Sequence, residues 1–403
     1  MGLSVRVVGR STIGAGTDST PGWIMRIVRL ANFVAPRSGG LRTALEELGA
    51  GYAAAGHEVV LVIPGERPGR AETRAGLVVT VPGPLVPGTG GYRVITARRP
   101  LARLLDDLEP DRLEVSDRAT LRWTGRWARS RGVRSMMVSH ESLDGLLRVL
   151  APRRMPVPLS RRLADRLNSA TARSYDVIAC TTEWAAAEFH RLGVPNLVRV
   201  PLGVDLGRFS PVRRDPVLRG SLARPGERLL VHCGRLSPEK RPERSVEALR
   251  ELRRRGVPAV LAVAGDGPRR PALEALADGL PVRFLGHIAD RDRVARLLAT
   301  ADVVVAPGPI ETFGLAALEA LACGTPVTVA AESALPEVVG DAGLTAAGRP
   351  EAYADAIERL LSRDEADRRA AARRQAERFG WPASVDGFLR AHGLPRLIGD
   401  RRW

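Results

Sequence analysis

One segment constrains the fold more than any other: residues 301–330, which read ADVVVAPGPIETFGLAALEALACGTPVTVA. Residues 303–305 form an apolar run, which is interrupted by the Pro-Gly-Pro of residues 307–309. Residues 315–323 have the length and composition of a helix, and Gly324 follows where helices commonly end. A second apolar run closes the segment. This order predicts a buried strand, a loop, a buried helix and another buried strand, which is a unit of an α/β fold.

This segment places two carboxylates beside a set of backbone donors. Every residue of the predicted helix is apolar or small except Glu319, and a buried carboxylate needs partners. Glu311 lies eight residues earlier, in the loop before the helix. The N–H groups of Phe313, Gly314 and Leu315 are expected to be unpaired at the helix N-terminus, which favours a bound phosphate. The alternative is an ordinary buried unit, with Glu311 as a helix cap and Glu319 at a solvated edge.

The length of 403 residues exceeds one ordinary core and predicts two domains of about 190 residues each. Strand and helix patterns alternate through residues 25–211 and start again at residue 229, after a polar linker. We therefore predict two parallel, doubly wound α/β domains, 25–211 and 212–380, followed by a terminal helix within 381–403. Residues 1–24 lack the apolar core of a signal peptide and are predicted to be a disordered extension.

The chain is strongly basic, with a formal net charge of +16. Nucleic acid is not a predicted partner, because aromatic residues make up 4% of the chain and no basic run is interleaved with them. Of the 61 basic residues, 60 are arginine, and the only lysine is Lys240. Residues 24–210 hold 28 arginines against 18 acidic residues, so this half could contact an anionic membrane. The alternative interpretation is a diffuse solubilising charge.

The cysteines and the hydropathy indicate a reducing compartment. Cys180, Cys233 and Cys323 lie far apart without metal-binding spacing, which is typical of small buried hydrophobic residues. No apolar stretch approaches the roughly 18 residues of a membrane span. The only Asp-x-Asp of the chain, residues 290–292, has the position of a helix cap and is a poor candidate for a metal site. We expect a cytoplasmic protein without a metal site.

The first domain offers two candidate positions for a ligand crevice. Gly39 and Gly40 lie between the first predicted strand and the first helix, where a ligand can approach the backbone. His140 follows the strand predicted at residues 135–139, and residues that follow parallel strands line the crevice of such sheets. A plain tight turn and a loop histidine with a backbone partner are the alternatives for these positions.

The second domain offers a pair suited to a diphosphate. Arg235 ends a predicted strand, and Lys240 lies five residues on, where the next helix opens. A guanidinium can bind two phosphate oxygens, and an ammonium supplies a compact positive charge. Gly267 lies in a tight turn whose bare backbone can approach a ligand. Asp290 follows another predicted strand, and its carboxylate could accept from guanine but not in that way from uracil; alternatively, it caps the next helix.

Three sets of residues resemble the motifs of retaining glycosyltransferases of family GT4. Glu311 and Glu319, with seven residues between them, resemble the E-x7-E motif of that family. Residues 234–240 resemble its G-R-L-x-x-x-K motif, and residues 203–211 resemble the G-V-D-x-x-x-F-x-P stretch that ends its first domain. The resemblance covers nearly all of residues 25–392. It implies the GT-B architecture, in which two Rossmann-like domains face each other and a terminal helix crosses back to the first domain.

The resemblance also implies roles for individual residues. In GT4 enzymes the second glutamate, here Glu319, binds the ribose hydroxyls of a sugar nucleotide, and the first, here Glu311, lies near the transferred sugar. A histidine in the position of His140 lies by the sugar and the acceptor, where it could donate to a sugar hydroxyl. The Gly-Gly loop of the first domain faces donor and acceptor, and backbone groups at the strand end near Ile288 meet the nucleobase.

The implied reaction releases a nucleotide diphosphate, whose growing charge must be held. Arg235, Lys240 and the predicted helix N-terminus can hold that charge without a metal, and such donors each contribute roughly 3–4 kcal/mol. A phosphate oxygen of the donor is the candidate base for attack on the same face of the sugar. No second carboxylate is placed for the double displacement of retaining hydrolases. Glu311 is assigned to sugar hydroxyls.

Together these observations predict a retaining, metal-independent glycosyltransferase that moves a hexose from a nucleotide sugar to a hydroxyl of a lipid-linked or glycan acceptor. Asp290 narrowly favours GDP-mannose as the donor, and no further cofactor is expected. A UDP-sugar enzyme with a soluble acceptor and a non-catalytic nucleotide-binding protein are the alternatives. The expected location is the cytoplasm, with peripheral contact at the inner face of an anionic membrane.

Overall fold

The computed structural model describes the following residues: 24–34, 39–86, 91–140, 143 and 157–395. The predicted extension, up to residue 23, and the end of the predicted terminal segment, from residue 396, lie outside the described residues. The described residues form two α/β domains, each built on its own sheet. The predicted fold class, two doubly wound domains, is thereby confirmed.

The first domain contains eight strands: β1 (Arg26–Ala31), β2 (Glu58–Gly65), β3 (Gly69–Thr73), β4 (Gly76–Pro82), β5 (Arg112–Ser116), β6 (Arg134–Ser139), β7 (Val177–Cys180) and β8 (Leu197–Arg199). Their order in the sheet is β3-β4-β2-β1-β5-β6-β7-β8. All neighbouring strands are parallel except β3 and β4, which form an antiparallel hairpin at one edge.

The second domain contains six strands: β9 (Arg228–Cys233), β10 (Ala259–Ala264), β11 (Val282–Gly286), β12 (Val303–Ala306), β13 (Val327–Ala330) and β14 (Gly343–Ala346). Their order is β11-β10-β9-β12-β13-β14, and all pairs are parallel. The strand, helix and strand predicted within residues 301–330 are β12, the helix Leu315–Ala322 and β13.

The described helices are α1 (Gly40–Ala54), α2 (Arg98–Leu108), α3 (Trp123–Ser130), α4 (Val157–Ala172), α5 (Glu183–His190), α6 (Pro216–Leu222), α7 (Glu243–Arg254), α8 (Arg270–Leu276), α9 (Arg291–Thr300), α10 (Leu315–Ala322), α11 (Leu335–Val339), α12 (Pro350–Leu361), α13 (Glu365–Glu377) and α14 (Trp381–Ala391). None of these helices is long and apolar enough to cross a membrane. They cover both faces of each parallel sheet, as the crossover connections of such sheets require.

Burial follows from this layering. Every residue of β10 and β13 is buried, because these strands have helices on both faces. The edge strand β3 is exposed throughout and was not predicted, because its sequence, GRAET, has no apolar pattern. Its pairing with β4 depends on tertiary structure, and a short polar strand carries no sequence pattern that predicts such a pairing.

The last helix, α14, returns to the first domain. The N–H of Val204 donates to the carbonyl of Phe379 at 2.8 Å, which ties the interdomain passage to the chain just before α14. His392, just after α14, lies 3.2 Å from the carboxylate of Glu114 inside the first domain, and Arg29 donates to the same group at 2.7 Å. Burial opposes ionisation, but Arg29 and His392 lower the pKa of Glu114 to about 2. A buried ionic network therefore anchors the returning helix.

Candidate active site

A cleft of about 790 Å³ opens between the ends of the two sheets where their strands terminate. It brings together every predicted site residue except Asp290. The predicted residues that line the cleft are Gly39, Gly40, His140, Arg235, Lys240, Gly267, Ile288, Glu311, Phe313, Gly314, Leu315 and Glu319.

Helix α10 begins at the wall of the cleft, with Gly314 as its N-cap. Gly314 has a left-handed backbone with φ of 74°, and a Cβ there would lie 2.1 Å from Cδ2 of Leu335. Both the conformation and the packing therefore require glycine. Helix α1 begins on the opposite wall, where a Cβ on Gly40 would lie 3.6 Å from Leu315. Two helix N-termini thus face one narrow space, and both favour an anion there.

Lys240 and Glu311 form an ion pair in the cleft. Lys240 ends the 3₁₀ turn Pro238–Lys240 after β9, and its Nζ donates to Oε1 of Glu311 in the loop after β12. The two side chains are 33% and 22% exposed, so both remain accessible from the cleft. The sequence placed each residue in the site separately but gave no indication of their contact. A phosphate bound at Lys240 would therefore share this ammonium with Glu311.

Arg235 connects the two walls of the cleft. Its guanidinium carbon lies 4.6 Å from the ring centre of Tyr92, which belongs to the first domain, in a cation–π contact. Gly267, in the turn after β10, packs on the loop that follows Arg235. Its φ is 156°, and a Cβ there would lie 2.4 Å from the carbonyl oxygen of Leu236. Tyr92 was not predicted, because an aromatic residue in a loop carries no local signal for a partner in another domain.

Glu319 is buried and paired. It is 5% exposed, and its Oε1 accepts a hydrogen bond from Arg291 at 2.5 Å. Burial raises the pKa of the Glu319 carboxyl, and Arg291 opposes the rise. Arg291 also covers the ring of Phe209, in the interdomain passage, at 5.0 Å. Sequence reasoning missed Arg291, because the contact spans 28 residues and no spacing rule predicts it.

His140 lies on the first-domain wall. Its Nε2 is 3.1 Å from Oγ of Ser116, and removal from water lowers the pKa of its imidazole well below the usual range. The ring is therefore neutral at physiological pH and offers a hydrogen bond rather than a charge. The hydroxyl of Thr312 donates to the carbonyl of His140, and the hydroxyl of Thr182 donates to the carbonyl of Thr312 at 2.9 Å. Thr312, which was not predicted, thus joins the two walls.

Asp290 does not line the cleft. It is exposed, and its Oδ1 accepts from the N–H groups of Asp292 at 2.9 Å and Arg293 at 3.4 Å. It is the N-cap of α9, which was the alternative considered for this position. The expectation that Asp290 reads a guanine base stays a prediction: one oxygen of its carboxylate is engaged with the helix N-terminus, and Asp290 is not among the residues that line the cleft. Ile288, two residues earlier, does line the cleft.

A buried histidine forms part of the second-domain wall. His232 in β9 is 4% exposed and lines the cleft. Its Nδ1 lies 3.0 Å from Oγ of Ser245, whereas its Nε2 has no hydrogen-bond partner among the described residues. Burial, assisted by Lys240, lowers the pKa of His232 to about 4, so the ring is neutral. Sequence reasoning missed it, because it lies within the apolar run of a core strand.

Within the described ranges, no group of three His, Cys, Asp or Glu residues could hold a metal ion. Burial raises the pKa of the thiols of Cys180, Cys233 and Cys323 to about 12, so they are protonated at neutral pH.

Two Rossmann-like domains that face each other across this cleft define the GT-B class of glycosyltransferases. The chain superposes on sucrose-phosphate synthase from Thermosynechococcus elongatus with a TM-score of 0.72 and 21% identity, covering 92% of this chain and 98% of that one. It superposes equally well on HepE of Anabaena in complex with UDP and glucose, with a TM-score of 0.72 and 18% identity over 92% and 99% of the chains. At this identity the likeness establishes the fold.

Sequence comparison establishes the family. The family model "Glycosyl transferases group 1" matches residues 215–378, and the model "Glycosyl transferase 4-like domain" matches residues 39–203. The chain belongs to the group 1, GT4-like glycosyltransferases, and the prediction of a glycosyltransferase is confirmed.

The relatives differ in how much of the chain they match. A GDP-mannose-dependent α-(1-6)-phosphatidylinositol dimannoside mannosyltransferase from Mycobacterium tuberculosis is 52% identical over 381 residues, which is 93% of this chain and 99% of that protein. A D-inositol 3-phosphate glycosyltransferase from Rhodococcus erythropolis is 34% identical over 59% of this chain and 57% of its own length.

Proposed function

We propose that this enzyme transfers mannose from GDP-mannose to a hydroxyl of a mannosylated phosphatidylinositol lipid. The observation that carries the proposal is the 52% identity, across nearly the full length of both chains, to a mannosyltransferase with this donor and acceptor. The choice of GDP rests on that relative and not on Asp290, which caps a helix.

In this proposal the diphosphate of the donor lies between the two helix N-termini. Arg235 and Lys240 bind its oxygens together with the N–H groups of Phe313, Gly314 and Leu315. These donors are held in place before reaction, so the negative charge that develops on the leaving group costs little reorganisation. Glu311 then exchanges part of its contact with Lys240 for the hydroxyls of the sugar, and Glu319 accepts from the ribose.

We propose further that the reaction retains the configuration of the sugar and needs no metal. The bond between the anomeric carbon and the phosphate oxygen breaks first. The acceptor hydroxyl oxygen then bonds to that carbon on the same face, and its proton passes to the departing phosphate. The cations and helix N-termini supply the charge stabilisation that a metal would otherwise provide. Neutral His140 donates to a sugar hydroxyl and orients the acceptor.

The proposed acceptor is a membrane lipid, so the enzyme acts as a cytoplasmic protein in peripheral contact with the inner face of the membrane. The cleft then opens toward the lipid headgroups, and the sugar nucleotide enters from the cytoplasm. The basic first domain, with 28 arginines against 18 acidic residues in residues 24–210, supports this orientation.

The donor can be tested by thermal shift with GDP, UDP and ADP, followed by transfer assays with GDP-mannose and UDP-glucose on phosphatidylinositol mannosides. We expect GDP alone to raise the Tm, and mannose alone to be transferred. A shift with UDP alone would contradict the donor assignment and favour a UDP-sugar enzyme. Binding of GDP with transfer to a water-soluble acceptor but not to the lipid would contradict the acceptor assignment.

A further inference from the structure

The outer face of the first domain contains a second cavity, of about 270 Å³, between α3 and the end of α4. We call this cavity the arginine pocket. It shares no lining residue with the cleft. Four of its seven lining residues are arginine and none is acidic: Arg122, Trp123, Arg126, Arg129, Ala170, Arg173 and Ser174.

Among the described residues, no acidic side chain neutralises the charge of the arginine pocket. Within the described part of the chain, none of its four guanidinium groups forms an ion pair. Two acidic residues of α2 and α4 pair with arginines outside the pocket: Asp106 pairs with Arg131 at 2.6 Å, and Asp165 pairs with Arg191. Arg129 donates to the carbonyl of Arg173 at 3.1 Å, which draws the two helices together but cancels no charge. Four like charges held around one cavity repel each other, so an anion bound there would relieve the repulsion.

The basic surface continues from the arginine pocket along α4. Arg162 and Arg166 in α4, and Arg173 just after its end, recur at helical spacing and therefore lie on one side of the helix. Leu159 and Leu163 flank that row and are 54% and 39% exposed. Large apolar side chains beside a row of arginines give α4 the amphipathic character of a helix that lies at a membrane interface.

We propose that the arginine pocket and this side of α4 form the surface that docks the enzyme on an anionic phospholipid membrane. The inference rests on the proposed function, because a lipid acceptor has to be met at a membrane. Guanidinium groups bind phosphate oxygens through paired donors, so the pocket holds a phospholipid headgroup. The exposed leucines enter the region between headgroups and acyl chains. A soluble phosphate would fill the pocket but would leave those leucines in water.

Co-sedimentation with vesicles tests this surface. The variant R126E/R173E reverses two charges of the arginine pocket, and R296E/R359E makes the same charge change at exposed arginines of the second domain. We expect the wild type to bind vesicles of phosphatidylcholine with phosphatidylinositol, to bind pure phosphatidylcholine much more weakly, and to dissociate as salt is raised. R126E/R173E should lose at least about tenfold in vesicle affinity, whereas R296E/R359E should lose far less.

Three results would overturn the proposal: no binding of the wild type to the anionic vesicles, equal binding by R126E/R173E, or equal losses in both variants. Saturable binding of inorganic phosphate that R126E/R173E abolishes, without any effect on vesicle binding, would also overturn it in favour of a soluble anion. Transfer of mannose to a detergent-dispersed acceptor is measured in parallel. We expect R126E/R173E to retain that activity, because its two substitutions lie outside the cleft. An inactive wild type that still binds vesicles through the arginine pocket would refute the proposed function while leaving the docking surface in place.

Discussion

The two walls of the cleft are built in different ways. On the second-domain wall, Arg235, Lys240 and Glu311 lie in the loops that follow β9 and β12, which are neighbouring strands of one sheet. On the first-domain wall, Tyr92 and His140 lie in separate loops and are joined to the other domain by single contacts. The comparison teaches that the second-domain wall, the proposed diphosphate side, is set by the topology of one sheet, whereas the opposing wall is set by how the domains meet. Substitutions on the second-domain wall should therefore affect chemistry most, and those on the first-domain wall should affect positioning.

The largest effect is expected from Lys240→Ala. In the proposed mechanism, removing the ammonium takes away a preorganised charge at the leaving group, and such a loss lowers kcat by about 10²–10³-fold. Steady-state kinetics with GDP-mannose measure this loss, and circular dichroism establishes that the variant is folded. Arg359→Ala, at an exposed site on the same domain, is the control and should keep full activity. A Lys240→Ala enzyme with a wild-type kcat would show that the second-domain wall does not carry the chemistry.

The next effect concerns the start of α10. Gly314→Ala forces an L-residue into the left-handed region and drives its Cβ onto Leu335, so we expect a loss of more than about 2 kcal/mol in unfolding free energy. Gly226→Ala is a matched control, because Gly226 has φ of 84° with no atom within 4 Å of the added Cβ. That variant should lose only about 1–2 kcal/mol. Donor KM should rise about tenfold or more for Gly314→Ala alone, equivalent to ~1.4 kcal/mol or more. Equal KM values in both variants would exclude a role for this N-terminus in donor binding.

Arg291→Met tests whether Arg291 keeps Glu319 ionised. Burial raises the pKa of Glu319, and without Arg291 that pKa rises further. Ionising the buried carboxylate then destabilises the folded state more than in the wild type. The variant should therefore lose about 1–3 kcal/mol of unfolding free energy as pH rises through the new pKa. If Glu319 binds the ribose as proposed, donor affinity changes in the opposite sense, because it needs the ionised carboxylate and falls as pH is lowered through the same pKa. Chemical denaturation and donor KM, both measured against pH, follow the two trends.

Arg291→Lys provides the control for this pair. It keeps the charge beside Glu319 but loses the planar group over Phe209. It should therefore restore the pH dependence of donor KM without fully restoring stability. A donor KM that is independent of pH in Arg291→Met would show that Arg291 serves stability alone.

The same contrast explains what the sequence could predict. Arg235, Lys240 and Glu319 were predicted because each belongs to a sequence motif: Arg235 and Lys240 follow a strand, and Glu319 lies in the short helix that begins at the cleft. Thr312 was missed because its partner His140 lies 172 residues away, and no local pattern encodes that distance. Asp290 shows the converse: a residue after the correct end of a strand can use its carboxylate to cap the next helix. The direction of the backbone after the strand decides which of the two roles its carboxylate takes. The fold class was predictable because buried parallel strands and amphipathic helices leave periodic patterns.

A smaller effect is expected from His140→Gln on the first-domain wall. The lowered pKa keeps His140 neutral. In the wild type, kcat/KM should therefore show no change due to titration of His140 between about pH 6 and 8. The variant should lose about tenfold in kcat/KM, equivalent to one hydrogen bond of ~1.4 kcal/mol. A wild-type limb near the ordinary histidine pKa that disappears in the variant would instead assign His140 a proton-transfer role.

The smallest effect is expected where the two domains meet beyond the cleft. Glu337 in the second domain accepts from the N–H groups of Glu183 at 2.7 Å and Trp184 at 3.3 Å, so it caps α5 of the first domain. Glu337→Ala should cost about 0.5–2 kcal/mol, as the loss of a helix cap does.

The lost free energy belongs to the contact between the two domains, which must be in place for both substrates to bind across the cleft. KM should therefore rise a few-fold for both substrates, while kcat stays unchanged. Asp364→Ala removes a cap within the second domain, where Asp364 accepts from the N–H of Asp367 at 3.0 Å. It should lower the Tm by a similar amount without changing either KM. If Asp364→Ala raised KM as much as Glu337→Ala did, the effect would reflect general stability, and the distinction between a locally built wall and a wall set by domain contact would lose its support.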